Sequence, residues 1–314
     1  MTSRTSDKRL KEVVKYSNEF GVVETASRFN IQVNTVERRL REANERHITV
    51  SKIEDREPRV LIFDLETSPI EARLFDVGKQ YVGWKHVIKP WAILTWSAKW
   101  LCGSEVFGAK VNSGQAHERK DGNIVKELWN LVDEADVVVA HNFHGFDKGK
   151  MNSRFIVNNC GPPSPYRAID TLREARSKFR FLSNSLQYIG RLLCAEDKTA
   201  TSMSLWDRCV DGDPTGLDDM LRYNKQDVRL LEEVLLKIRP WMTSGPNIGA
   251  YYTDTSGRCG RCGSKNVNVS DSHYYTTANR YRALYCNECG GWTRMPSGDL
   301  STEERRSLLR PMAR

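Results

Sequence analysis

The central part of this 314-residue chain is expected to be α/β, a mixed sheet with helices on its faces. Three observations predict it. The stretches "VLIFDLE", "WAILTWSAKW" and "SEVFGAKV" are apolar-rich runs that read as three consecutive strands. An amphipathic helix, "NIVKELWNLVDEA", then leads into a short buried strand, "DVVVAH". Further helices follow in "GFDKGKMNSRFIVNNC", "AIDTLREARSKF", "SNSLQYIGRLLC" and the long "GLDDMLRYNKQDVRLLEEVLLKIRP", which Pro240 stops. Strands in succession, then helix–strand alternation, imply a sheet covered by helices. Ser183 or Asn184 is the expected cap of the "SNSLQYIGRLLC" helix.

The ends of the chain have a different character. Residues 1–50 hold 10 Lys+Arg against 7 Asp+Glu, and residues 251–314 hold 10 against 6. The whole chain is +8, so the 200 residues between are almost neutral. Basic ends point to a polyanion such as nucleic acid, while a mildly basic protein with no such partner stays open on charge alone. No apolar run is long enough to span a bilayer, and the first residues lack an apolar signal core. The expectation is an intracellular protein with no membrane contact, in the cytoplasm or at the nucleoid.

The N-terminal segment, residues 1–48, reads as three short helices. "DKRLKEVVKYSNEF" places Leu10, Val13, Val14 and Ser17 at helical spacing, and Gly21 breaks the helix. "VVETASRF" and "VNTVERRLREANER" follow, with Ala26, Ile31, Val36 and Leu40 as shared core. The pattern resembles a helix-turn-helix. That resemblance implies a recognition helix beginning near Asn34 and Thr35, with Arg38, Arg39 and Arg41 available to phosphates of duplex DNA. A plain packing or dimerisation module is the other reading. Residues 49–58 read as a linker, and 59–240 as the α/β domain. Residues 241–256, Gly/Ser/Pro-rich, read as a second linker.

Four of the eight cysteines form two pairs, Cys259-x2-Cys262 and Cys286-x2-Cys289, with 23 residues between. Two such hairpins closing on one ion make a four-cysteine structural Zn²⁺ site. Gly263 and Gly290 suit the tight knuckle turns. Residues 257–295 resemble a zinc ribbon. Its "HYYTTANRYRALY" surface, with Arg280 and Arg282, is able to meet nucleic acid or only to dock a partner. Cys102, Cys160, Cys194 and Cys209 are expected to be reduced and buried. In the tail, residues 296–314, Ser301 and Glu304 form a capping box.

The chemistry is carried by acids. Asp64 and Glu66, two apart at the end of the first strand, point to the same side. Two like charges there call for a cation between them. Asp147 follows the buried strand at a helix start, and Asp227 lies four residues after Tyr223 on one helix face. The blocks "FDLET", "HNFHGFD" and "YNKQD" together resemble the DEDD 3′–5′ exonucleases, in their tyrosine branch. The likeness extends to family B polymerase proofreading domains and to stand-alone phage-type relatives. It covers roughly residues 59–240 and implies a ribonuclease H-like fold. It also implies two Mg²⁺ or Mn²⁺ ions held by Asp64, Glu66, Asp147 and Asp227. On that pattern Asp64 bridges both ions, Glu66 and Asp227 serve the ion that holds the water, and Asp147 acts through water on the other. Tyr223 orients the attacking water. Asn142 and Phe146 position the 3′ nucleotide, although Phe146 is equally readable as core. Asp170, in "AIDTL", is expected to support structure. The implied function is release of nucleotides from DNA 3′ ends, among replication or repair partners, including in a virus-infected host. An RNA-directed enzyme and a non-catalytic DNA-binding protein are the alternatives.

Overall fold

The computed structural model describes residues 7–46, 57–194, 202–254 and 256–309. The chain opens with helices α1 (Asp7–Arg28) and α2 (Val33–Glu45). Gly21 interrupts α1 with φ of 84° and ψ of 168°, a conformation glycine adopts without cost, so α1 is two helices meeting at a kink. Val13, Ala26 and Val36 are buried together, with Ile31 and Leu40 against them, as the periodicity requires. The linker placed at 49–58 lies largely outside the described residues.

The central domain runs β1 (Val60–Thr67), β2 (Glu71–Ala72), β3 (Val87–Lys89), β4 (Ile93–Trp100), β5 (Val106–Lys110), α3 (Ser113–Glu118) and α4 (Gly122–Glu134). It continues through β6 (Val137–Ala140), α5 (Asp147–Val157), β7 (Arg167–Asp170), α6 (Thr171–Lys178), α7 (Leu186–Cys194), α8 (Met203–Val210) and α9 (Pro214–Ile238). Five strands form one sheet in the order β5-β4-β1-β6-β7. β1 pairs antiparallel with β4 and parallel with β6. The sheet is therefore mixed and ribonuclease H-like, with hydrophobic layers on both faces.

The period of two in β1 decides what faces what. Leu61, Phe63 and Leu65 enter one layer with Trp96, Leu128 and Met151. Val60 and Ile62 enter the other with Val228, Leu231 and Leu235 of α9. Asp64 and Glu66 continue that second row, on the side that α9 covers. α9 itself starts at Pro214, with Asp213 accepting from Thr215 N–H as its cap. It ends at Ile238, and Pro240 lies in the following 3₁₀ turn.

Several expectations need correction. The cap of α7 is Ser185, whose Oγ accepts from Tyr188 N–H, because Ser183 is spent on Ser185 N–H. Of the scattered cysteines only Cys209 is buried; Cys102 is exposed, and Cys160 and Cys194 are half-buried. The start of "AIDTLREARSKF" is strand β7, paired with β6, and the helix begins only at Thr171, where Asp170 caps it. α3, α8 and the β2–β3 pair have no counterpart among the expected elements.

The C-terminal segment forms a three-stranded sheet, β8 (Val267–Tyr275), β9 (Arg280–Cys286) and β10 (Trp292–Arg294), in the order β10-β9-β8. A short helix, α10 (Thr302–Ser307), follows with the expected Ser301–Glu304 capping box. Among the described residues no helix is long and apolar enough to cross a membrane.

Candidate metal centre and active site

Three of the four acids converge. Carboxylate oxygens of Asp64, Glu66 and Asp227 all lie within 4.8 Å of one another. β1 supplies the first two and α9 the third. Asn224, one turn before Asp227 and fully buried, donates through Nδ2 to Asp64 Oδ2 at 2.6 Å. Asn224 Oδ1 is buried with no hydrogen-bond partner. Tyr223 is half-buried on the same helix.

Asp147 stands outside that group, at the first residue of α5. It follows β6, the strand beside β1. The carboxyl is buried, and its Oδ1 has no hydrogen-bond partner. Burial pushes its pKa from 3.8 to about 7; a hydrogen bond from its own backbone N–H opposes the shift, and the nearby Asp170 charge adds to it. A buried acid with an orphan oxygen is an arrangement that a cation would relieve.

The loop before Asp147 is held by Asp170. Asp170 accepts from the backbone N–H of Asn142 (3.1 Å) and His144 (3.0 Å), and from His144 Nδ1 (3.1 Å). It also caps α6, accepting from Leu172 and Arg173 N–H. Despite the cost of burial, these donors hold its carboxyl below the usual range. Its part is structural, as expected. Asn142 sits at φ of 74°, so its backbone turns sharply into the loop. Phe146 is partly exposed beside Asp147, with Lys150 Nζ 5.6 Å from its ring centroid.

Asp121 was missed from sequence. It is buried and receives Arg154 at 2.7 and 2.6 Å, Asn158 at 3.0 Å and Ile93 N–H at 2.9 Å. That clamp ties α5 to the start of β4. Glu232 plays a similar part for α9, accepting from Lys99 and from Cys102 N–H.

Hard oxygen donors in such a group suit Mg²⁺ or Mn²⁺. The residues fit a divalent ion by donor type and by convergence, and the orphan Asp147 Oδ1 adds a buried oxygen donor. The second centre fits Zn²⁺. Four free sulfurs, of Cys259, Cys262, Cys286 and Cys289, lie within 4.8 Å of one another. Cys259–Cys289 and Cys262–Cys286 are 3.7 and 3.6 Å apart. Sulfurs bound tetrahedrally to one Zn²⁺ at the usual distance stand about 3.8 Å apart. The hydrogen bond that Cys262 makes to Cys259 draws the Cys259 thiol down and holds the Cys262 thiol up, so the two share one proton between close sulfurs. Gly263 and Gly290 have φ of 77° and 71°, as the knuckle turns demand.

Of the α2 residues expected to meet DNA, Asn34, Arg38 and Arg41 are exposed and Thr35 is half-buried. Arg39 is partly buried, and burial and the neighbouring Arg9 lower its pKa. It lies between Val36 and Ala43 on the packed side of α2, so it is less available than its neighbours.

Residues 100–238 match the family model of the RNase H superfamily. That match begins after Asp64 and Glu66, and includes Asp147, Tyr223 and Asp227. No curated protein matches the chain. Among solved structures, it is similar to the family B DNA polymerase of the hyperthermophilic archaeon Pyrobaculum calidifontis, with a TM-score of 0.44 and 16% identity. The similarity covers 73% of this chain and 32% of the polymerase, under a third of its length. Neither the polymerase's activity nor its assembly carries over from that likeness.

Proposed function

We propose that the chain is a divalent-metal-dependent 3′–5′ exonuclease that hydrolyses phosphodiester bonds of DNA. The observation that carries the reading is the convergence of Asp64, Glu66 and Asp227 at the end of β1 in an RNase H-like domain. A nuclease fold with an acidic, oxygen-only site suits a phosphodiester.

Two Mg²⁺ or Mn²⁺ ions would supply charge neutralisation and an activated water. Asp64, Glu66 and Asp227 would hold them, with Asp147 reaching through water. Asn224 fixes the rotamer of Asp64, so the carboxylate is set before substrate arrives. Tyr223, on the same helix face as Asp227, orients the attacking water through its hydroxyl. An ordinary phenol titrates near ~10, so orientation rather than proton removal is its task. Asn142 and Phe146, in the loop that leads into Asp147, position the terminal nucleotide. The helix-turn-helix and the zinc ribbon hold the substrate, with Asn34, Arg38 and Arg41 toward duplex phosphates and base edges.

The test is a panel of 5′-labelled substrates: single-stranded DNA, 3′-recessed duplex and RNA, each with Mg²⁺ or Mn²⁺. Stepwise shortening from the 3′ end, abolished by Asp64→Ala, is the expected result. Undiminished cleavage by Asp64→Ala would remove the site. A preference for RNA, or no cleavage with any substrate, would replace the reading by one of its two alternatives.

A further inference from the structure

We infer that residues 70–90 form a stacking arm for single-stranded nucleic acid, leading to the acidic site. The arm begins four residues after Glu66. Its root is fixed: Ser68 N–H donates to Ala92 O at 2.9 Å, and Ala92 N–H to Ser68 Oγ at 3.0 Å. β2 pairs with β3, and Arg73 N–H donates to His86 O at 3.0 Å. Glu71 is held by Arg119 at 2.6 Å and by Lys89 at 3.7 Å. The polypeptide beyond this root carries its large side chains outward. Phe75 is 98% exposed, Tyr81 92% and Trp84 81%.

Three aromatic side chains in water, on one short excursion, forgo burial that each would otherwise gain. Such a surface marks a binding site. Charge selects the occupant. Arg73, Lys79 and Lys85 make no ion pair among the described residues, and Lys85 Nζ lies 5.8 Å from the Trp84 ring centroid. Glu71 is paired at the root, which leaves exposed Asp76 as the single acid against Arg73, Lys79 and Lys85. The tip therefore offers aromatic faces interleaved with available cations. That combination serves a strand whose bases are unpaired, since stacking needs free base faces and phosphates need cations.

The path continues inward. Past the root, Trp91 stacks under Lys150, whose Nζ is 3.8 Å from its ring centroid, and Lys150 lies next to Phe146. Phe146 immediately precedes Asp147. The arm's direction toward the site rests on the exonuclease reading; its binding of a single strand does not.

The experiment uses the full chain with Phe75→Ala, Tyr81→Ala and Trp84→Ala combined. Affinity for labelled oligothymidylate and for a duplex is read by anisotropy in an Asp64→Ala background. Hydrolysis of thymidine 5′-monophosphate p-nitrophenyl ester, too small to reach the arm, is read without it. Oligothymidylate binding should weaken by about tenfold or more, with duplex binding and ester hydrolysis unchanged. Replacing Tyr81 and Trp84 by Phe should restore binding. Unchanged oligothymidylate affinity overturns the arm, as does a change only in self-association on size exclusion. If the wild type cleaves nothing but the triple variant loses the single strand, the arm stands and the exonuclease reading falls.

Discussion

Asn224 Nδ2 meets Asp64 Oδ2 at 2.6 Å, so a fully buried amide on α9 sets the carboxylate at the end of β1. The bond spans the interface between the helix and the sheet, and it joins the element that carries Asp227 to one of the two acids of β1. Removing it takes this short amide bond from a partly buried carboxylate. Asn224→Ala should keep the fold and raise the Mg²⁺ concentration needed for half-maximal cleavage by about 10–100-fold. A metal titration of activity reads it directly; an unchanged midpoint would show that Asp64 is set by other groups.

Asp147 gives a pH prediction. Its pKa is raised by burial from 3.8 to about 7, so between these values the folded chain holds a proton that the unfolded chain has lost. Stability of the metal-free protein therefore falls as pH rises from about 4 to about 7, and the loss is complete above that window. Asp147→Asn removes the penalty. At pH 8 without divalent metal it should be more stable than wild type by about 1–3 kcal/mol, while cleavage is lost. Denaturant melts at pH 5 and pH 8 test the sign; equal stabilities of the two proteins at pH 8 would refute it.

What could be read beforehand, and what could not, follows from the range of each interaction. The period-two burial of β1, the kink at Gly21 and the two cysteine pairs are local patterns, and each was legible. The convergence of Asp227 on Asp64 and Glu66 was legible only by resemblance, because nothing local says that α9 covers the end of β1. Asn224 left one weak signal, a polar residue three positions before Asp227 on the buried stripe of an amphipathic helix. Asp121 left none: its partners Ile93, Arg154 and Asn158 are 28 to 37 residues away. Residues 70–90 lack both helical and strand periodicity, and β2 and β3 are two and three residues long, too short to register.

The clamp at Asp121 is a stability prediction with a positioning consequence. Its carboxylate receives two guanidinium bonds from Arg154 and holds the backbone of Ile93. Asp121→Ala strands a mostly buried Arg154 charge on the helix that carries Asp147. Loss of one partner from such a pair costs about 3–5 kcal/mol. Urea denaturation should show that loss for Asp121→Ala and a smaller one for Asp121→Asn, which keeps part of the bonding. A change below about 1 kcal/mol for Asp121→Ala would mean that the clamp is solvated rather than buried.

The cysteine centre is separable from the acidic one. Elemental analysis of the purified chain should find about one zinc per molecule. Cys286→Ser removes one of the four sulfurs, and the remaining three cannot close a tetrahedral structural site. The variant should lose the zinc and the protection of β8 and β9 from proteolysis, because binding free energy in such a module is folding free energy. Hydrolysis of the small p-nitrophenyl ester should persist, since Asp64, Glu66 and Asp227 lie in the other domain. Purified wild type without zinc would refute the site. Loss of ester hydrolysis in Cys286→Ser would show that the cysteine-bearing sheet braces the acidic centre as well as itself.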